Sequence, residues 1–150
     1  PGDRVAVRGR LGFAAAGLEL LSAGRTEPEE LIAAHRRPLP PYDAGPEAVR
    51  LGATALLDVS DGLVQDLGHI AAASGVRIDL DPALLPVPAV LGARGLHHVL
   101  TGGEDHAFAG TFPPEIALPG TWSVIGRVME GEGLTVGGGA YGTGGWDHFR

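Results

Sequence analysis

Between residues 53 and 62 the chain reads Ala-Thr-Ala-Leu-Leu-Asp-Val-Ser-Asp-Gly, and no other stretch narrows the possible folds so far. It is apolar up to Asp58 apart from Thr54, which predicts a buried strand over 53–59. A helix is predicted immediately after it, over 62–73. Leu63, Leu67, Ile70 and Ala71 share one face there, and Ser74-Gly75 supplies the stop. A strand that runs straight into a helix already mixes the two element types.

The rest of the chain continues the mixture. Residues 3–7 alternate as a short strand. Residues 11–22 read as a helix, with Leu11, Ala14, Ala15, Leu18 and Leu21 at helical spacing and Gly24 beyond its end. Thr26-Glu27-Pro28-Glu29 has the form of a capping box opening a helix to about His35. Residues 38–41 form a proline-rich connector, and 46–51 a short helix. Residues 76–80, 106–112 and 122–129 read as strands, 90–95 as a weak helix, and 98–100 as the lead into a turn at 101–105. A glycine-rich tail occupies 137–145. The fold class is α/β (α+β): one domain over residues 1–150, with helices packed on a mixed sheet.

Composition removes several kinds of chemistry. There is no cysteine, hence no disulfide, thiolate zinc site or cysteine nucleophile, which fits a cytoplasmic setting. There is no lysine either, since all 11 basic residues are arginine, and that excludes a P-loop and a Schiff base within the chain. A net charge of −7 disfavours nucleic acid and suits carboxylates that hold metal ions. The longest apolar runs, 13–16 and 70–73, fall far short of the roughly 20 residues of a membrane span, so no membrane partner is expected. No secretory leader is read at the start. The opening Pro1 is what a piece of a longer chain would show.

Three constellations carry chemistry. In Asp58-Val59-Ser60-Asp61-Gly62 a strand ends in two acids and a hydroxyl before a helix begins. Asp58 and Asp61 are oxygen donors suited to a hard cation such as magnesium, and Ser60 with the helix-start amides suits an anion. Helix capping by Ser60 or Asp61 is the alternative. In Thr101-Gly102-Gly103-Glu104-Asp105-His106 two glycines would let backbone approach a ligand, and the adjacent acids would point in different directions; an ordinary glycine turn is the alternative. In Gly145-Trp146-Asp147-His148-Phe149 the aromatics would either pin the tail to the core or cover a flat cationic ring. His35, His69, His97 and His98 lack metal-ligand spacing and are expected as core or surface residues. Ser22, Ser74 and Ser123 lack the setting of a nucleophile elbow.

These three motifs in order, with Asp66-Leu67-Gly68-His69-Ile70 behind the first, resemble the carboxyl-terminal half of thiamine-monophosphate kinase over nearly the whole chain. The wider superfamily includes aminoimidazole ribonucleotide synthetase, selenophosphate synthetase and a hydrogenase maturation protein. The resemblance implies a domain like the carboxyl-terminal domain of aminoimidazole ribonucleotide synthetase. It implies transfer of the ATP γ-phosphate to thiamine monophosphate, giving thiamine diphosphate. Asp58 and Asp61 would be Mg2+ ligands, Ser60 an ATP contact, Glu104 a contact to thiamine monophosphate, and Trp146 an aromatic near the substrate rings. No residue of the chain would be a covalent catalytic group. Where the family pattern places tyrosine and an acid after its Gly-Gly-Glu-Asp, this chain has His106 and Ala107. The resemblance also implies an amino-terminal domain, outside this sequence, that completes the ATP site and forms a homodimer. The chain by itself would then be inactive. Another ATP-dependent synthetase of the superfamily and a non-catalytic nucleotide- or metal-binding domain are the alternatives.

Overall fold

Val5, Ala6 and Val7 are all buried. Successive strand side chains point to opposite faces, so the strand that carries them is covered on both sides. In the computed structural model, which describes residues 1–141, this strand is β1 (Arg4–Arg8). It lies between β4 (Ala107–Phe112) and β5 (Ser123–Met129), antiparallel to both. The sheet continues outward through β2 (Ala55–Val59) on one side. On the other side come β3 (Arg77–Leu80), β6 (Gly133–Val136) and β7 (Gly139–Ala140). The order is β2-β4-β1-β5-β3-β6-β7, and β3–β6 is the parallel pair.

Val5 and Val7 face the larger core. Four helices contribute to it: α1 (Phe13–Ser22), α2 (Glu29–Arg36), α4 (Leu63–Ser74) and α5 (Gly95–Thr101). Ala6 faces a smaller core with Phe112, Trp122 and two alanines, Ala44 and Ala48, of α3 (Ala44–Arg50). There the Phe112 and Trp122 rings meet edge to face, with centroids 5.1 Å apart. Arg8 bonds Glu47 and, at 2.6 Å, Asp43, while the Trp122 indole N–H donates to Glu47 at 2.8 Å. These bonds hold α3 against its face of the sheet.

The expected elements are present, with informative departures. The strand predicted as buried over 53–59 instead lies at one end of the sheet, hydrogen-bonded on one side only among the described residues, and Val59 alone of β2 is fully buried. Leu18, one of the helically spaced residues of α1, is 50% exposed, because α1 turns Phe13, Ala14, Ala16 and Gly17 inward. Gly17 explains that rotation: a Cβ on it would lie 2.1 Å from the Leu31 carbonyl oxygen, so the bare backbone lets α2 cross closely. The capping box expected at 26–29 does not form: Pro28 holds the cap position of α2 without a side-chain bond, and the Glu27 carboxylate before it accepts the Glu29 N–H at 3.1 Å. Residues 98–100 belong to α5 rather than to a lead-in. The glycine tail holds the β6–β7 hairpin. Gly137 and Gly138, at φ +60° and +77°, supply the left-handed pair that a two-residue turn requires.

Candidate active-site wall

Antiparallel pairing of β2 with β4 sets Val59 opposite Ala107 and Asp58 opposite Phe108. The end of β2 therefore lies beside the start of β4, and two motifs distant in sequence become neighbouring loops. Backbone bonds join them: Glu104 N–H donates to the Ser60 carbonyl at 2.8 Å, and His106 N–H to the Val59 carbonyl at 3.2 Å. The glycines make this contact possible. A Cβ on Gly103 would fall 2.3 Å from the Ser60 oxygen, one on Gly62 2.7 Å from the Thr101 oxygen, and one on Gly102 2.5 Å from the His98 oxygen. Gly102 and Gly103 thus admit protein backbone, where the sequence suggested room for a ligand.

Each loop carries one buried acid that holds backbone. Asp66, on the first turn of α4, accepts the Asp61 and Gly62 N–H groups at 3.0 and 3.1 Å. Burial pushes its carboxyl above the usual range, against those amide bonds. The cap position of α4 falls on Gly62, so neither Ser60 nor Asp61, the alternative reading, caps it. Asp105 accepts the Ala14 N–H at 2.9 Å through Oδ1, so it caps α1 from a distant loop. Its Oδ2 is buried and has no hydrogen-bond partner among the described residues. Burial pushes the Asp105 carboxyl up to about 6, with the amides of Gly12, Phe13 and Ala14 acting in the opposite direction.

The neighbouring acids are turned outward. Glu104 adopts φ +67° and His106 φ +51°, both left-handed, with Asp105 between them. The Glu104 side chain is 70% exposed while Asp105 is buried, so the adjacent acids do diverge. His106 stands between two of the expected site residues: its Nδ1 is 3.4 Å from Asp58 Oδ2 and its Nε2 is 3.8 Å from Glu104 Oε2.

A cavity of about 540 Å³ opens against these loops. Ser60, Asp61 and Glu104 line its polar side, and Ala14, Ala15 and Leu18 of α1 form an apolar wall. The helically spaced stripe of α1 thus partly lines a cavity. His35, His97 and His98 also line it. Sequence reasoning missed them, because their approach depends on how α1, α2 and α5 pack. His98 is buried beside Glu19, at 3.2 Å, and burial lowers its pKa. The structure thus brings Ser60, Asp61 and Glu104 to one cavity and places Asp58 next to them through His106. Trp146 lies outside the described residues. Among the described residues no group of three or more His, Cys, Asp or Glu is arranged to hold a metal ion. Asp58 and Asp61 are the donor types of a magnesium site that needs further ligands, as magnesium sites commonly draw on phosphate and water. No helix among the described residues is long and apolar enough to cross a membrane.

Comparison with known proteins adds to this geometry. The chain is 43% identical over 158 residues to a thiamine-monophosphate kinase of Mycobacterium tuberculosis, covering 99% of this chain and 47% of that protein. The structure of AaThiL complexed with AMPPCP and TMP superposes with a TM-score of 0.90 at 40% identity, over 99% of this chain and 52% of that one. HypE of Escherichia coli, a hydrogenase maturation protein, superposes with a TM-score of 0.63 at 25% identity, over 95% of this chain and 48% of that one. No protein-family model matches the chain. The chain spans about half the length of the curated relatives it matches.

Proposed function

We propose that this chain, a homologue of the thiamine-monophosphate kinases, forms one wall of a kinase site that phosphorylates thiamine monophosphate. A phosphate oxygen of thiamine monophosphate attacks the γ-phosphorus of ATP. The bond from that phosphorus to the bridging oxygen breaks, and thiamine diphosphate and ADP leave. The observation that carries this reading is the meeting of Ser60, Asp61 and Glu104 at one cavity, in a fold that superposes closely on a kinase bound to an ATP analogue and TMP.

Asp58 and Asp61 would hold magnesium through their two carboxylates, with the remaining donors from phosphates, water and a half of the enzyme outside this sequence. When bound, magnesium neutralises charge on the phosphoryl group in transfer. Ser60 contacts ATP beside the loop amides. Glu104 offsets the positive thiazolium ring of the substrate, and Trp146 covers one of its rings. The same outside half completes the ATP site and joins two copies in a homodimer, in a cytoplasmic enzyme. A second reading, another ATP-dependent synthetase of the superfamily, has weaker support: HypE of Escherichia coli superposes with a TM-score of 0.63 at 25% identity, against 0.90 at 40% for AaThiL.

Asp58→Asn in the complete enzyme tests the reading. The fold is expected to persist, because Asp58 is exposed on the outermost strand. Turnover should fall by about tenfold or more, and the magnesium concentration for half-maximal rate should rise, as loss of one charge-assisted ligand implies. Unchanged turnover and magnesium dependence would reject the metal assignment.

A further inference from the structure

We propose that Asp105 is the positioning residue that locks the Glu104 turn to the first turn of α1, and so fixes the polar and apolar sides of the cavity relative to each other. The proposal rests on the reading of Glu104 as the substrate contact. The geometry is specific. Glu104, Asp105 and His106 are consecutive, and the outer two are left-handed. That alternation sends the Glu104 side chain outward and the Asp105 carboxylate inward to the Ala14 N–H. The bonds from Glu104 N–H to Ser60 and from His106 N–H to Val59 tie the same turn to the metal-side loop on either flank of Asp105. Ala14 belongs both to the capped end and to the cavity wall. One carboxylate therefore couples the residue expected to meet substrate with the apolar surface on which that substrate would rest.

The oxygen acceptor, rather than the charge, carries this role. Among the described residues Oδ2 has no partner, and Oδ1 takes the Ala14 bond. An asparagine can present the same oxygen to Ala14, whereas an alanine cannot. A residue acting on metal or protons would need its charge, and a residue acting only on overall stability would not discriminate between substrates.

The test uses Asp105→Asn and Asp105→Ala in the complete enzyme. Asp105→Asn should keep the KM for thiamine monophosphate within about threefold of the parent. Asp105→Ala should raise it by about tenfold, as expected for loss of one well-placed contact, and move the KM for ATP by less than about threefold. Asp105→Ser, whose oxygen falls short of Ala14, should behave like Asp105→Ala and replaces it if that variant fails to fold. Amide hydrogen exchange supplies a readout independent of substrate. Protection at Ala14 and Glu104 should fall together by about tenfold or more in Asp105→Ala and persist in Asp105→Asn, with β3 and β5 unaffected in both. Asp105→Asn as impaired as Asp105→Ala would overturn the proposal, as would a lowered Tm with unchanged KM or retained protection at Glu104. If Glu104→Gln leaves the KM for thiamine monophosphate unchanged, the substrate reading of Glu104 fails, and the exchange measurement still decides the lock.

Discussion

The two loops at the cavity are anchored by different kinds of buried acid. Asp66 holds the loop after β2 from within the helix that follows it, through amides four and five residues back. Asp105 belongs to the turn before β4 and holds an amide 91 positions away, at the start of another helix. The first anchor sets the shape of its own loop. The second sets where one loop stands relative to a wall. Loss of the first should be felt on the side of Asp58, Ser60 and Asp61, and loss of the second on the side that joins Glu104 to α1.

The largest effect should come from forcing the loops apart, which removes the distinction between the anchors. Gly103→Ala places a Cβ 2.3 Å from the Ser60 carbonyl oxygen, closer than real contacts allow. Backbone on both sides must shift, so a loss of about 3 kcal/mol is expected from overpacking. Urea titration of Gly103→Ala against the parent measures it, and a loss below about 1 kcal/mol would mean the loops are not rigidly apposed. A smaller effect, confined to one side, is expected from Asp66→Ala. Removing the acceptor from the Asp61 and Gly62 amides should cost about 1–2 kcal/mol. It should raise the magnesium concentration for half-maximal rate while leaving the KM for thiamine monophosphate nearly unchanged, the reverse of the pattern expected for Asp105→Ala. Steady-state kinetics with each substrate varied in turn tell the two patterns apart.

The smallest effect is one of pH. The Asp105 carboxyl is held at about 6, above its ordinary value of 3.8. The folded state therefore keeps the proton longer than the unfolded state. This contribution is fully present below the unfolded value and fades as pH rises through 6. Between pH 5 and pH 7 the change should be about 1 kcal/mol, lower at pH 7. His98 opposes it: burial holds the imidazole neutral, so its contribution is lost as pH falls through its lowered pKa. Comparing the stability curve of the parent with that of Asp105→Asn isolates the carboxyl. The variant should lack this slope, and identical curves would show that Asp105 does not titrate in this range.

The asymmetry of the anchors also explains what the sequence could show. Local features were legible. The helix over Leu63–Ser74 and its Gly75 stop, the alternation at Arg77–Leu80 and the Gly-Gly-Glu-Asp turn all depend on neighbours within a few residues. Asp58, Ser60 and Asp61 could be nominated because their types and spacing suit cation and anion chemistry, and Glu104 through the family resemblance. What could not be read was decided by pairing across the chain. The β2–β4 register, the face of α1 that Gly17 turns toward α2, and the cap that Asp105 supplies to α1 leave no periodic trace. The β6–β7 hairpin is different: its Gly137-Gly138 pair was visible, but a tail so rich in glycine gave no reason to prefer that pair over others.

The position of β2 at the rim of the sheet has a consequence of its own. A terminal strand leaves a row of backbone donors and acceptors open to any other extended chain, and proteins commonly deter such pairing with a charge. Within β2 (Ala55–Val59) Asp58 is the charged residue, and it is exposed. The carboxylate assigned to metal therefore doubles as a guard against strand addition. Asparagine at this position would give up that guard together with the proposed metal ligand, leaving an uncharged apolar edge whose self-association rises with concentration.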